Sequence, residues 1–104
     1  MGNIMTESDV QLTEEIDIEL LNPGRYKNIV HNDDVTPVDF VIAMLMQVFN
    51  HPEERAKELT LQVHNDGFGI AGVFSYEVAE QKGIEATLMA RQHGFPLSIT
   101  IEEE

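Results

Sequence analysis

Asn32-Asp33-Asp34-Val35-Thr36-Pro37 joins a strand-like run to a helix start, and its reading orders the rest of the chain. The residues before it, Tyr26-Lys27-Asn28-Ile29-Val30-His31, have strand composition. Thr36-Pro37 reads as an N-cap followed by proline at the first helical position. Three acceptor-rich side chains, Asn32, Asp33 and Asp34, therefore fall on a short strand-to-helix turn. Such a cluster suits a small cation better than an anion.

Outward from that turn the punctuation is regular. Phe40, Val41, Met44, Leu45, Val48 and Phe49 recur at helical spacing and give the segment after Pro37 one apolar face. His51-Pro52-Glu53-Glu54 reads as a stop and a new start, with acids where the helix dipole favours them. The second helix carries Ala56, Leu59, Thr60 and Val63 on one face and ends near Asn65-Asp66-Gly67. Phe68–Phe74 is a short apolar strand whose glycines, Gly69 and Gly72, imply close passage to other backbone. Ser75 is an N-cap for a third helix running to about Gln92, with Gly83 weakening its middle. His93-Gly94 ends that helix, and Pro96 to Ile101 reads as a last strand in which Leu97, Ile99 and Ile101 alternate. The order β-α-α-β-α-β predicts an α+β sandwich: a small, three-stranded, mostly antiparallel sheet with the helices on one face.

Composition narrows the function. The chain has 104 residues, no cysteine and a net charge of -13. It is one domain, without disulfides or thiolate chemistry. Its charge argues against nucleic acid and anionic membrane surfaces as partners. No apolar run approaches the ~20 residues needed to span a membrane, and no secretory leader is legible, so the expected location is cytoplasmic. The charge is uneven: residues 1–22 hold six acids and no Lys or Arg, and the last three residues are glutamates. Residues 23–101 contain ten acids and six bases, a net of -4. Residues 1–22 therefore read as a disordered acidic tail. Asn22-Pro23-Gly24 marks its boundary, giving an extension over 1–24 and a folded domain over 25–104.

Distributed along the folded part are Tyr26-Lys27, Asn32-Asp33-Asp34-x-Thr36-Pro37-x-x-Phe40-Val41, Glu54-Arg55-Ala56, Val63-His64, Gly72-Val73-Phe74, Glu77-Val78-Ala79-Glu80 with Lys82, and Pro96-Leu97. Together they resemble the ClpS family, adaptors that deliver N-degron substrates to the Clp protease. The resemblance covers about residues 25–101 and implies a three-stranded sheet with three helices. It assigns Asn32, Asp33 and His64 to the α-amino group of a substrate. It also assigns Thr36, Pro37, Val38, Val41, Thr60, Val63 and Leu97 to an apolar pocket for the first side chain, expected to be Phe, Leu, Tyr or Trp. Glu77 and Lys82 match positions used to dock on the N-terminal domain of a ClpA-type AAA+ unfoldase, and residues 1–22 match an extension needed for handover. No cofactor and no catalytic residue are implied.

The chemistry is consistent with that assignment. A free chain N-terminus is an ammonium with three donors, so it needs acceptors converging from different directions and one full negative charge. The chain departs from well-known bacterial members at two positions: Val38 stands where they resemble one another in a longer Met, and Thr60 where a larger apolar residue is usual. Both departures imply a roomier or more polar pocket, in the manner of a second-type adaptor. Read without the resemblance, Val41 and Val63 are core residues, His64 is a helix-end histidine, and Glu77 and Lys82 are a solvated helix face.

Three other classes compete. Asp33, Asp34 and His64 with Thr36 or Ser75 could form an acid–base and nucleophile set, but neither hydroxyl lies in a nucleophile motif and no oxyanion hole is legible. Asp33, Asp34, His31 and His64 could hold a metal, but they lack calcium-loop and zinc spacing. An interaction module could dock on the unfoldase and modulate or inhibit it without reading N-termini.

Overall fold

A computed structural model describes residues 24–104. The acidic tail expected over residues 1–22 lies outside the described residues. The elements are β1 (Tyr26–His31), α1 (Val38–Gln47), α2 (Glu53–Asp66), β2 (Phe68–Phe74), α3 (Tyr76–Gln92) and β3 (Ser98–Glu103). They form one three-stranded antiparallel sheet, as expected from the sequence, and its strand order is β2-β1-β3.

Alternation along β1 decides which face the helices cover. Asn28 and Val30 point to the helical side, where Asn28 Nδ2 donates to the Ala79 carbonyl of α3 at 2.9 Å and Val30 joins the core. On β2 the register slips opposite Asn28–Ile29, leaving Ala71 as an extra residue. This bulge changes the side-chain phase, so Ala71 and Phe74 both meet the core. Its freed carbonyl accepts from His51 Nε2. The expected close approach holds at Gly69, where an added Cβ would come within 2.8 Å of Val63 Cγ2 on α2. At Gly72 the intruding atoms belong instead to the ring of Phe74, two residues along the same strand.

The six apolar residues expected on the first helical face are all buried, as are Ala56, Leu59, Thr60 and Val63 of α2. Val48 and Phe49 follow the end of α1, where Lys82 Nζ donates to the Val48 carbonyl at 2.8 Å. The two ends of β3 differ from expectation. Leu97 is buried but precedes the strand, and pairing continues through Glu102 and Glu103 opposite Lys27 and Tyr26. An alternating pattern registers burial, and Leu97 is buried by packing rather than by ladder pairing. The two glutamates, read as an acidic end, are held by the ladder and by a Lys27–Glu102 ion pair at 3.7 Å.

Candidate functional site

The turn between β1 and α1 is organised by one carboxylate. Asp33 Oδ1 accepts from the backbone N–H groups of Val35 (2.8 Å) and Thr36 (2.7 Å), and Oδ2 accepts from the Thr36 hydroxyl (2.8 Å). An Asp side chain that satisfies the backbone two and three residues on is a self-contained turn. Thr36 does not cap α1, contrary to the sequence reading. Its hydroxyl turns back to Asp33, and Pro37 occupies the N-cap position, its carbonyl accepting from Phe40 and Val41. Partial burial pushes the Asp33 carboxyl up. The hydrogen bonds from Thr36 and Val35, with the nearby charge of Arg91, outweigh this and hold it below its ordinary value. Asp33 is therefore an anion at neutral pH, with three of roughly four acceptor positions occupied.

A second contact brings α2 to this turn. Gly67, at φ 89°, ends α2 by donating to the Val63 carbonyl, and its own carbonyl accepts from the Asn32 N–H at 2.9 Å. That φ favours glycine, which explains the residue chosen at the helix end. His64 lies one turn before Gly67 on the same helix, and it lines the same cavity as Asn32. Among the described residues, neither the Asn32 amide nor the His64 ring makes a side-chain hydrogen bond. Both remain available to a ligand.

These groups form the polar end of a cavity of about 410 Å³, within the roughly 300–1,000 Å³ typical of small-molecule sites. Asn32, Asp33, Asp34 and His64 line that end; Thr36, Pro37, Val38, Val41, Thr60 and Val63 line the remainder. The Thr60 hydroxyl donates to the Ala56 carbonyl at 2.7 Å, back along its own helix. The donor of this hydroxyl is thus used within α2, and what it can still offer the cavity is an acceptor oxygen.

Nine of the ten residues expected at the amino-group and apolar positions meet in this cavity. Leu97 does not line it; it is 1% exposed in the core behind. Its carbonyl and that of Phe95 accept from Arg91, which ties the approach to β3 to the end of α3. Asp34 and Val35 line the cavity without having been assigned to it. Their position inside the deciding stretch was the available signal.

Glu77 and Lys82 line a shallow depression on α3 with Val78, Gln81 and Glu85. Glu77 is exposed. Lys82 is not a simple solvated residue, since besides bonding Val48 its ammonium stands 5.9 Å from the ring centroid of Phe49 and 5.3 Å from that of Phe74. Among the described residues, no group of three His, Cys, Asp or Glu side chains could hold a metal ion, and His31 is hydrogen-bonded to Thr100 on β3. No helix of the described residues is long and apolar enough to cross a membrane.

A family model described as "ATP-dependent Clp protease adaptor protein ClpS" matches residues 22–100. The ATP-dependent Clp protease adapter protein ClpS of Bdellovibrio bacteriovorus is 45% identical over 98 residues, covering 94% of this chain and 82% of the relative. Its counterpart in Desulfotalea psychrophila is 43% identical over 88 residues, covering 85% and 86%. Among solved structures, Agrobacterium tumefaciens ClpS2 bound to L-phenylalaninamide superposes with a TM-score of 0.77 at 36% identity, over 79% of this chain and 99% of that one. The chain belongs to the ClpS family of ATP-dependent Clp protease adaptors, which are adaptor proteins and not enzymes.

Proposed function

We propose that this adaptor recognises N-degrons, holding the free α-amino group with Asn32, Asp33 and His64 and the first side chain in the adjoining apolar cavity. The observation that carries the reading is a carboxylate kept ionised by its own turn, beside two uncommitted polar side chains, at one end of a pocket with apolar walls. An ammonium offers three donors, and this end offers an anion, an amide oxygen and an imidazole nitrogen. Thr36, Pro37, Val38, Val41, Thr60 and Val63 then face the first side chain, with Leu97 supporting the wall from the core. The ligand of the Agrobacterium tumefaciens ClpS2 structure, L-phenylalaninamide, combines a free amine with an aromatic side chain. It is the kind of ligand this pocket would take.

In this reading Phe, Leu, Tyr and Trp are accepted as first residues, and charged ones are refused by the cost of desolvating them against apolar walls. Glu77 and Lys82 dock on the N-terminal domain of a ClpA-type unfoldase, and residues 1–22 serve handover in the cytoplasm. Calorimetric titration with peptides differing only at the first residue tests recognition. Phe-, Leu-, Tyr- and Trp-initiated peptides should bind and an Asp-initiated one should not; equal binding of all five would overturn the proposal. Deleting residues 1–22 should leave those affinities unchanged while stopping degradation of an N-degron reporter by the unfoldase and its protease. Loss of peptide affinity on that deletion would contradict the separation of binding from delivery.

A further inference from the structure

Beside the cavity runs a second groove of about 340 Å³, lined by Val38, Ile42, Lys57, Thr60, Leu61 and His64. Val38, Thr60 and His64 line both, so the two depressions share a wall one side chain thick. The groove is the outer crease between two helices: Val38 and Ile42 are one turn apart on α1, and Lys57, Leu61 and His64 follow one another along α2. Its surface is apolar where solvent would favour polar residues. Val38 is 53% and Leu61 60% exposed. Thr60, whose hydroxyl donates to the Ala56 carbonyl, completes the wall. Lys57 pairs with Glu53 at 3.3 Å, so its ammonium is engaged there while its alkyl stem borders the groove.

Chain geometry suggests what would lie there. With an ammonium held by Asn32, Asp33 and His64 and the first side chain in the cavity, a chain that leaves past Val38, Thr60 and His64 crosses the shared rim into the groove. In an extended chain alternate side chains point to the same side, and positions one and three are about 6–7 Å apart. That is the scale of a partition one side chain thick. Resting on the N-degron reading above, we infer that the α1–α2 groove is a second subsite, which takes an apolar side chain at the third position of the bound polypeptide. The adaptor would then read an apolar–any–apolar pattern rather than a single terminal residue.

Fluorescence-anisotropy titration with Phe-Ser-Ser-, Phe-Leu-Ser- and Phe-Ser-Leu-initiated peptides tests this against wild type and Leu61→Ser. Leu61 is exposed, so its replacement leaves the core intact. Leucine at the third position should tighten binding about fivefold, the return for partly burying such a side chain. Leucine at the second position should not, and Leu61→Ser should abolish the gain while the Phe-Ser-Ser affinity stays the same. A gain that survives Leu61→Ser, a gain at the second position alone, or no gain would overturn the subsite while leaving amino-terminal recognition standing. If the Phe-Ser-Ser peptide binds equally well when acetylated, the parent reading fails and the subsite falls with it.

Discussion

Two strand-to-helix junctions in this molecule use the same kinds of residue to different ends. Between β2 and α3 a single residue, Ser75, makes the turn, and its hydroxyl accepts from the Val78 N–H at 3.4 Å. Between β1 and α1 six residues intervene, and no side chain caps the helix. Thr36, the residue with a hydroxyl to offer there, gives it to Asp33 instead. The first junction spends its polar group on the helix. The second forgoes that cap and spends its polar groups on fixing a carboxylate at the mouth of a cavity. A side-chain cap is worth about 1 kcal/mol, a stabilisation that α1 forgoes while its turn holds the Asp33 carboxylate in place.

Asp33→Asn would break the comparison most sharply. The isosteric change keeps an oxygen to accept the Val35 and Thr36 amides while removing the charge. Affinity for a Phe-initiated peptide should fall about 100-fold, near 3 kcal/mol, as for loss of one partner from a partly buried ion pair. Calorimetry that found the affinity unchanged would make the turn merely structural.

Gly69→Ala tests the wall that joins the two regions. A Cβ there would stand 2.8 Å from Val63 Cγ2, and valine has few rotamers in which to yield. Denaturant unfolding should show a loss of about 2 kcal/mol, with weakened peptide binding because Val63 also lines the cavity.

Ser75→Ala is the contrasting case. The bond is long at 3.4 Å, so stability should drop by only about 0.5–1 kcal/mol. Peptide affinity should be untouched. A binding defect would show that the two junctions are not independent.

The smallest effect concerns pH. Because the folded Asp33 carboxyl titrates below its ordinary value of 3.8, it contributes stability that is fully present above that value and is lost as pH falls through its lower folded value. Acid unfolding of Asp33→Asn should lack this part of the pH dependence, and identical profiles for the two proteins would contradict it.

How much of this was legible in the sequence differs between the same two regions. Around α1 and α2 the helical recurrence of Phe40, Val41, Met44, Leu45, Leu59 and Val63 identified the buried faces, because burial is what that periodicity records. Ser75 was legible as a cap because the strand, the cap and the helix follow one another directly. Thr36 has the pattern of a cap and is not one, for the converse reason. Thr-Pro satisfies the local preference, and only the competing carboxylate three residues earlier decides where the hydroxyl turns.

The direction of the Thr60 hydroxyl, the Ala71 bulge and the start of β3 were illegible on the same ground. Each is settled by hydrogen-bond partners distant in sequence or by backbone register, to which residue pattern is blind. For the site, the polar end and most of the apolar wall came from the resemblance. What the sequence could not supply was that Asn32 is tied to Gly67, which joins the turn to the end of the helix that carries His64. The burial of Leu97 behind the cavity was equally out of reach.

The central claim is that a positive chain terminus, not an apolar side chain alone, is what the Asn32–Asp33–His64 end holds. Titrating one Phe-initiated peptide with its amine free and again with it acetylated tests this directly. Acetylation should abolish measurable binding, and equal affinity for the two peptides would contradict recognition of the amine.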